Sequence, residues 1–223
     1  MKKSLVLLVS GFLLVMGCNK SNSDKQFTDE SEEITASQRK CSADDVLQEQ
    51  LKADPSLRQR MDAIEEFTRR FKENPQMDRL LTNGVIEIPV VFNVLYRTAA
   101  QNVSLAQLQS QIDVLNEDFA TTNADYNLTS TYNSVKSGNI SVRFVLDAVN
   151  RRSTNTVSWG TNDAMKKSAK GIAPTSPTTK LNIWVCNMGG GILGYAQFPG
   201  GTSATDGVVL DDNATGRTGT AAA

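Results

Sequence analysis

LNIWVCNMGGGILGYAQFPGGTSATDGVVL, residues 181–210, is the stretch on which the fold turns. Leu181 to Cys186 is a short apolar run rich in β-formers. Gly189-Gly190-Gly191 follows, then a second strand signal from Leu193 to Phe198, closed by Pro199-Gly200-Gly201. Val208-Val209-Leu210 is a third, entered through the Asp206-Gly207 turn. Three short strands separated by glycine punctuation read as neighbours in one sheet. The glycine triplet is not a phosphate loop: no Gly-Lys-Ser/Thr follows and no G-x-G-x-x-G register holds.

Upstream, Ser104 to Phe119 is the clearest helix. Ser104 is placed to cap it, with Gln107 three residues on as the partner of a capping box. Leu105, Leu108, Ile112, Leu115 and Phe119 form one stripe at spacings of three and four. Ile86 to Tyr96 predicts a strand with Ile86, Ile88, Val90, Phe92, Val94 and Tyr96 on one face and Val91 and Leu95 on the other, so much of it is buried on both sides. Ile140 to Val149 predicts another strand, Asn162 to Lys170 a weak helix, and Gly171 to Thr179 a connector, with the polar Thr121 to Gly138 as loop. The order β, α, β, α, β is that of a layered α/β domain.

LNIWVCN, then G-x-L-G-Y-A-Q-F-P-G (Gly191 to Gly200), then TDGVV (Thr205 to Val209) resembles the pappalysin-like, cytophagalysin-type zinc metalloproteases of the metzincin clan. QSQIDVLNEDFA resembles the first long helix of that family. The likeness runs back to about Ile88 and, more weakly, to Arg39. It implies an α/β (α+β) metzincin-like upper subdomain: a twisted, mostly parallel sheet with an antiparallel edge strand and backing helices. It further implies that Gly191, Ile192, Leu193, Gly194, Tyr195 and Ala196 form the edge strand that binds protein or peptide substrates. In the family, zinc held by H-E-x-x-H-x-x-G-x-x-H polarises the scissile carbonyl and activates a water. These 223 residues contain no histidine. The chain therefore carries neither that metal site nor its general base, and is expected to be inactive as it stands. The rival expectation is a non-catalytic surface lipoprotein that holds peptide on the same edge strand.

Composition bounds the remainder. A net charge of -1 with mixed signs offers no face for nucleic acid, and without histidine no Ser-His-Asp or Cys-His device can be built. Residues 1–17 have the shape of a signal peptide: Lys2 and Lys3, an apolar core from Leu5 to Met16, then Val15-Met16-Gly17-Cys18, which resembles a bacterial lipobox. Cys18 is then expected to be the lipidation site, the alternative being an ordinary signal peptide with an incidental cysteine, and the protein an exported envelope lipoprotein, on the outer membrane or cell surface or secreted, reaching the membrane through its anchor. Residues 18–40 are polar and read as a disordered tether. Residues 41–82 read as a helical pro-segment, with Ser42 capping one helix, Asp54-Pro55 starting a second, and Asn74-Pro75 ending it. Leu57, Met61, Ile64, Phe67 and Phe71 recur along the second at helical spacing. Residues 83–223 are the incomplete catalytic domain. The family pro-segment often carries R-x-C-G; Arg39-Lys40-Cys41-Ser42 resembles it with serine for glycine. That makes Cys41 either a cysteine switch, able to occupy the metal's open position, or an incidental thiol. Cys186 is either a buried small hydrophobe or half of a disulfide with a downstream residue. Asp206, Asp211 and Asp212 are oxygen donors of the kind calcium takes, but their spacing does not match an EF-hand loop and turn-forming surface acids suffice.

Overall fold

The computed structural model describes residues 39–73, 84–128 and 130–217. The leader, Cys18, most of the tether, Asn74-Pro75 and residues 218–223 lie outside them. Among the described residues, six strands form one sheet: β1 (Lys40–Cys41), β2 (Ile86–Tyr96), β3 (Val142–Ser153), β4 (Leu181–Cys186), β5 (Ile192–Ala196) and β6 (Val208–Asp211), in the order β1-β5-β6-β4-β2-β3. Neighbours from β6 through β3 are parallel, β5 is antiparallel to β6, and β1 runs parallel to β5. The helices are α1 (Ala43–Ala53), α2 (Ser56–Glu73) and α3 (Leu105–Phe119). This is the mostly parallel mixed sheet with backing helices that the sequence predicts. No described helix is long and apolar enough to cross a membrane.

The period-two pattern of β2 divides the core in two. Val90, Phe92 and Val94 join Leu108 and Ile112 of α3, Phe144 of β3, and Ile183 and Val185 of β4. Leu95 on the opposite face joins Trp159, Met165, Trp184, Cys186, Tyr195, Val209 and Val46 of α1. Each such burial contributes roughly 1.5–3 kcal/mol. Between the apolar side chains of β2 sits Asn93, fully buried. It donates to Asn182 Oδ1 of β4 at 3.2 Å and accepts from Asn150 Nδ2 of β3 at 2.9 Å. Asn182 in turn accepts from the Thr175 backbone N–H at 2.8 Å. This amide ladder crosses three strands. A slip of one residue would strand its buried polar groups, so it locks the register.

Several expected boundaries move. The second long strand runs Val142–Ser153 rather than Ile140–Val149, because its pairing with β2 continues to Tyr96. The helix expected over 162–170 is only a 3-10 turn, Ala164–Lys166, with Asp163 before it in the left-handed region at φ 58°. Ser104 does cap α3, its Oγ accepting from Gln107 N–H at 3.1 Å. The capping box stays open, since the Gln107 amide donates instead to Thr215 O at 2.9 Å. Ser42 makes no side-chain cap. Asp54 does cap α2, taking the Ser56 N–H and hydroxyl at 3.0 and 2.5 Å.

Candidate functional site

The site is built where β5 meets the beginning of the described chain. Gly190 and Gly191 have φ of +68° and +70°, and Ile192 N–H closes the turn on Gly189 O at 3.3 Å. Only glycine adopts that backbone without strain. The turn delivers β5 antiparallel to β6. Gly194 has no room for a side chain on the β6 side, where a Cβ would lie 2.5 Å from Val209 O. Its glycine is thus explained by close packing within the sheet.

The sequence places Gly191–Ala196 at the sheet's edge. In the structure β5 is one strand in from the end, because β1 lies outside it. Lys40 N–H donates to Gly191 O at 3.0 Å and Ser42 N–H to Gly194 O at 3.1 Å, setting Lys40 opposite Ile192 and Cys41 opposite Gly194. Lys40, expected to end a disordered tether, is therefore a strand residue. The structure brings together two features that the sequence singled out separately, the cysteine and the substrate strand. Cys41 is an exposed free thiol.

A polar cluster that the sequence does not announce supports β5 from behind. Tyr195 donates its hydroxyl to Asp163 Oδ1 at 2.9 Å, and Asp163 pairs with Lys166 Nζ at 2.9 Å. The Lys166 side chain is 1% exposed; its ammonium donates to Thr205 O at 2.7 Å and lies 5.4 and 5.1 Å from the Trp184 and Tyr195 rings. A buried ammonium needs such a set: one carboxylate, one carbonyl and two ring faces. Burial, followed by the Asp163 charge, pushes the Tyr195 phenol up, so its proton stays on the hydrogen bond. The signal for this cluster was a lysine inside a poor helical pattern, which sequence periodicity alone reads as solvent-facing.

The helical hairpin holds β1 in place. Leu57 is 3% exposed and packs, with Met61, beside Gly200 in the β5–β6 loop. Arg60 Nε donates to Gly200 O at 2.7 Å, and its Nη2 pairs with Asp54 at 2.7 Å. The hydrogen bond from the Ser56 hydroxyl and then the Arg60 guanidinium hold the Asp54 carboxyl below its ordinary range. A cavity of about 300 Å³ lies between hairpin and loop, lined in part by Gln50, Leu57 and Thr205.

Asp211 and Asp212 are not the surface acids expected. Asp211 accepts from Met188 N–H at 2.8 Å, and Asp212 is 6% exposed. Burial, then the Asp211 charge, raises Asp212 to about 6. Cys186 is fully buried, its thiol 3.7 Å from Met188 Sδ and pushed up by burial. The described residues contain no group of three or more metal-binding side chains, and the full sequence no histidine. They do not fit a metzincin zinc site.

A mostly parallel sheet closed by an antiparallel strand and backed by helices matches a metalloprotease-like fold. Within it, the chain is similar to mirolysin of Tannerella forsythia. The mature mirolysin solved in complex with a cleaved peptide is 41% identical, with a TM-score of 0.57, over 60% of this chain and 56% of that one. A promirolysin mutant is 37% identical, with a TM-score of 0.63, over 77% and 59%. Mirolysin in complex with compound 9 is 41% identical, with a TM-score of 0.57, over 62% and 57%. The chain thus spans under three fifths of the length of these solved chains. No family model matches the chain, and no curated protein matches it.

Proposed function

We propose that this chain is the amino-terminal part of a zinc metalloendopeptidase of the pappalysin-like type, exported, anchored through Cys18 to the bacterial envelope and held latent by residues 41–82. The likeness to a chain solved with a cleaved peptide carries this reading. Zinc, where the complete protein holds it, supplies the activated water. The residues present here bind and orient. β5 offers backbone groups to an extended peptide, as strand addition requires. The Tyr195–Asp163–Lys166 cluster fixes it from behind, and the glycine turn shapes its entry. β1 takes the same hydrogen-bonding edge, so β1 and a substrate exclude one another. Cys41, opposite Gly194, is then the thiol that would reach a metal beside that edge.

The absence of histidine from the 223 residues supports a second reading, a non-catalytic lipoprotein that holds extended peptide at β5 once β1 is displaced. Two measurements separate the readings. DNA beyond codon 223 encoding H-E-x-x-H-x-x-G-x-x-H in any frame supports the protease; its absence supports the binding module. The chain as given should neither retain stoichiometric zinc by elemental analysis nor cleave a general protease substrate. Tight zinc with chelator-sensitive cleavage would overturn the assignment of the metal site to a later segment.

A further inference from the structure

At the opposite end of the sheet from β5, the chain forms a cavity of about 640 Å³ just past the carboxyl ends of β2 and β3. β2, β4 and β6 lie between β3 and β5, so the two places are separated by roughly 19 Å at the usual strand spacing. Arg97, Arg152 and Lys170 line the cavity together with Thr154, Asn155 and Thr156, and no carboxylate does. That is unusual within this molecule. The chain as a whole is slightly acidic, with a net charge of -1. None of the ten ion pairs among the described residues involves Arg97, Arg152 or Lys170.

Arg152 is also held in position before any ligand arrives. One guanidinium nitrogen donates to Ser168 O at 2.6 Å and to Gly171 O, and the other to Ala169 O at 3.4 Å. These carbonyls orient the guanidinium without cancelling its charge. Thr156 N–H folds back on Thr154 Oγ1 at 3.1 Å, which fixes the hydroxyl-bearing turn on the facing wall. Three cations around hydroxyl and amide groups suit an oxyanion of two charges better than a single carboxylate, and fixed guanidinium groups are good phosphate donors. The lining includes no aromatic ring on which a nucleobase could stack.

We propose that this cavity is a binding site for a phosphate group, free or on a lipid headgroup. The site stands apart from the proposed protease cleft and does not depend on that reading. The full chain is titrated with inorganic phosphate, with acetate at equal ionic strength, and with vesicles of phosphatidylglycerol or of phosphatidylcholine, following heat and backbone amide signals. Arg97→Ala and Lys170→Ala are run beside it; both side chains are exposed. Saturable phosphate binding, weakened about tenfold in each variant, supports the site with free phosphate as the ligand. Binding to phosphatidylglycerol vesicles that both variants weaken, with none to free phosphate, supports it with the headgroup as the ligand. Equal binding of acetate, binding unchanged in the variants, or no binding in any arm would overturn it.

Discussion

Asp212 shows how one buried residue ties stability to pH. Its folded-state pKa is about 6 against an ordinary 3.8, so the folded chain holds this proton more tightly than the unfolded one. The sign follows directly. The contribution is most favourable below about pH 4 and is lost as pH rises through about 6. Asp212→Asn should raise the unfolding midpoint at pH 7 and leave it nearly unchanged at pH 4. A variant with the same slope between pH 4 and 6 as the parent would assign the effect elsewhere. Cys41 tests latency at the same scale. In the completed protein, Cys41→Ser should shorten the lag before peptidase activity if the thiol occupies a metal position. An unchanged lag would leave the thiol incidental, and β1 would then block the edge by its backbone alone. Neither role could be weighed fully from sequence. Asp212 looks like any turn aspartate until its burial is seen, whereas Cys41 stood out through Arg39-Lys40-Cys41-Ser42.

Among the elements, the strands and α3 were legible because periodicity is strong where one face must be dry. The stripe from Leu105 to Phe119 and the alternation of β2 pick out the buried faces, except at their first residues, where Leu105 is 57% and Ile86 44% exposed. α2 was harder. Leu57 is buried, but Ile64 is 39% and Phe67 59% exposed, so the helical spacing held while its packing did not. The hairpin is therefore docked chiefly by its first turns, through Leu57, Met61 and the Arg60 bond to Gly200. Leu57→Ala should cost about 2–5 kcal/mol of local docking. Arg60→Ala, an exposed pair, should cost about 1 kcal/mol or less beyond its bond to the loop. Hydrogen exchange at the Lys40 and Ser42 amides should accelerate strongly in the first and mildly in the second, while β2 and β4 amides hold. Equal acceleration across the whole sheet would mean that hairpin and sheet open as one unit. The pairing of β1 with β5 was half visible: Gly191–Ala196 could be read as a strand, but its partner is a two-residue strand too short to carry a pattern.

For the molecule as a whole, sequence reading reached the mixed sheet and the likeness to a metalloprotease-like fold. It missed the contacts that depend on distant segments meeting, such as Lys166 with Thr205 or Arg60 with Gly200. Local periodicity has no access to partners that far away in the chain. The proposed lipid on Cys18 would set where the entire chain resides. Mass spectrometry of the mature amino terminus should find acylated Cys18 as its first residue. An unmodified terminus elsewhere would remove the anchor from the proposal.

The pairing of β1 with β5 also orders events in time. Arg60 and Gly200 are 140 residues apart, which ribosomes take on the order of ten seconds to traverse. Throughout that interval β1 and its hairpin lack β5, the strand they dock against. The polar, charge-paired surface of α2 and the brevity of β1 suit a segment that must wait in water without finding another partner. Among the described residues, β1 and the hairpin behind it can be seated only after β5 and β6 are made, and a nascent chain halted before residue 208 would present them undocked.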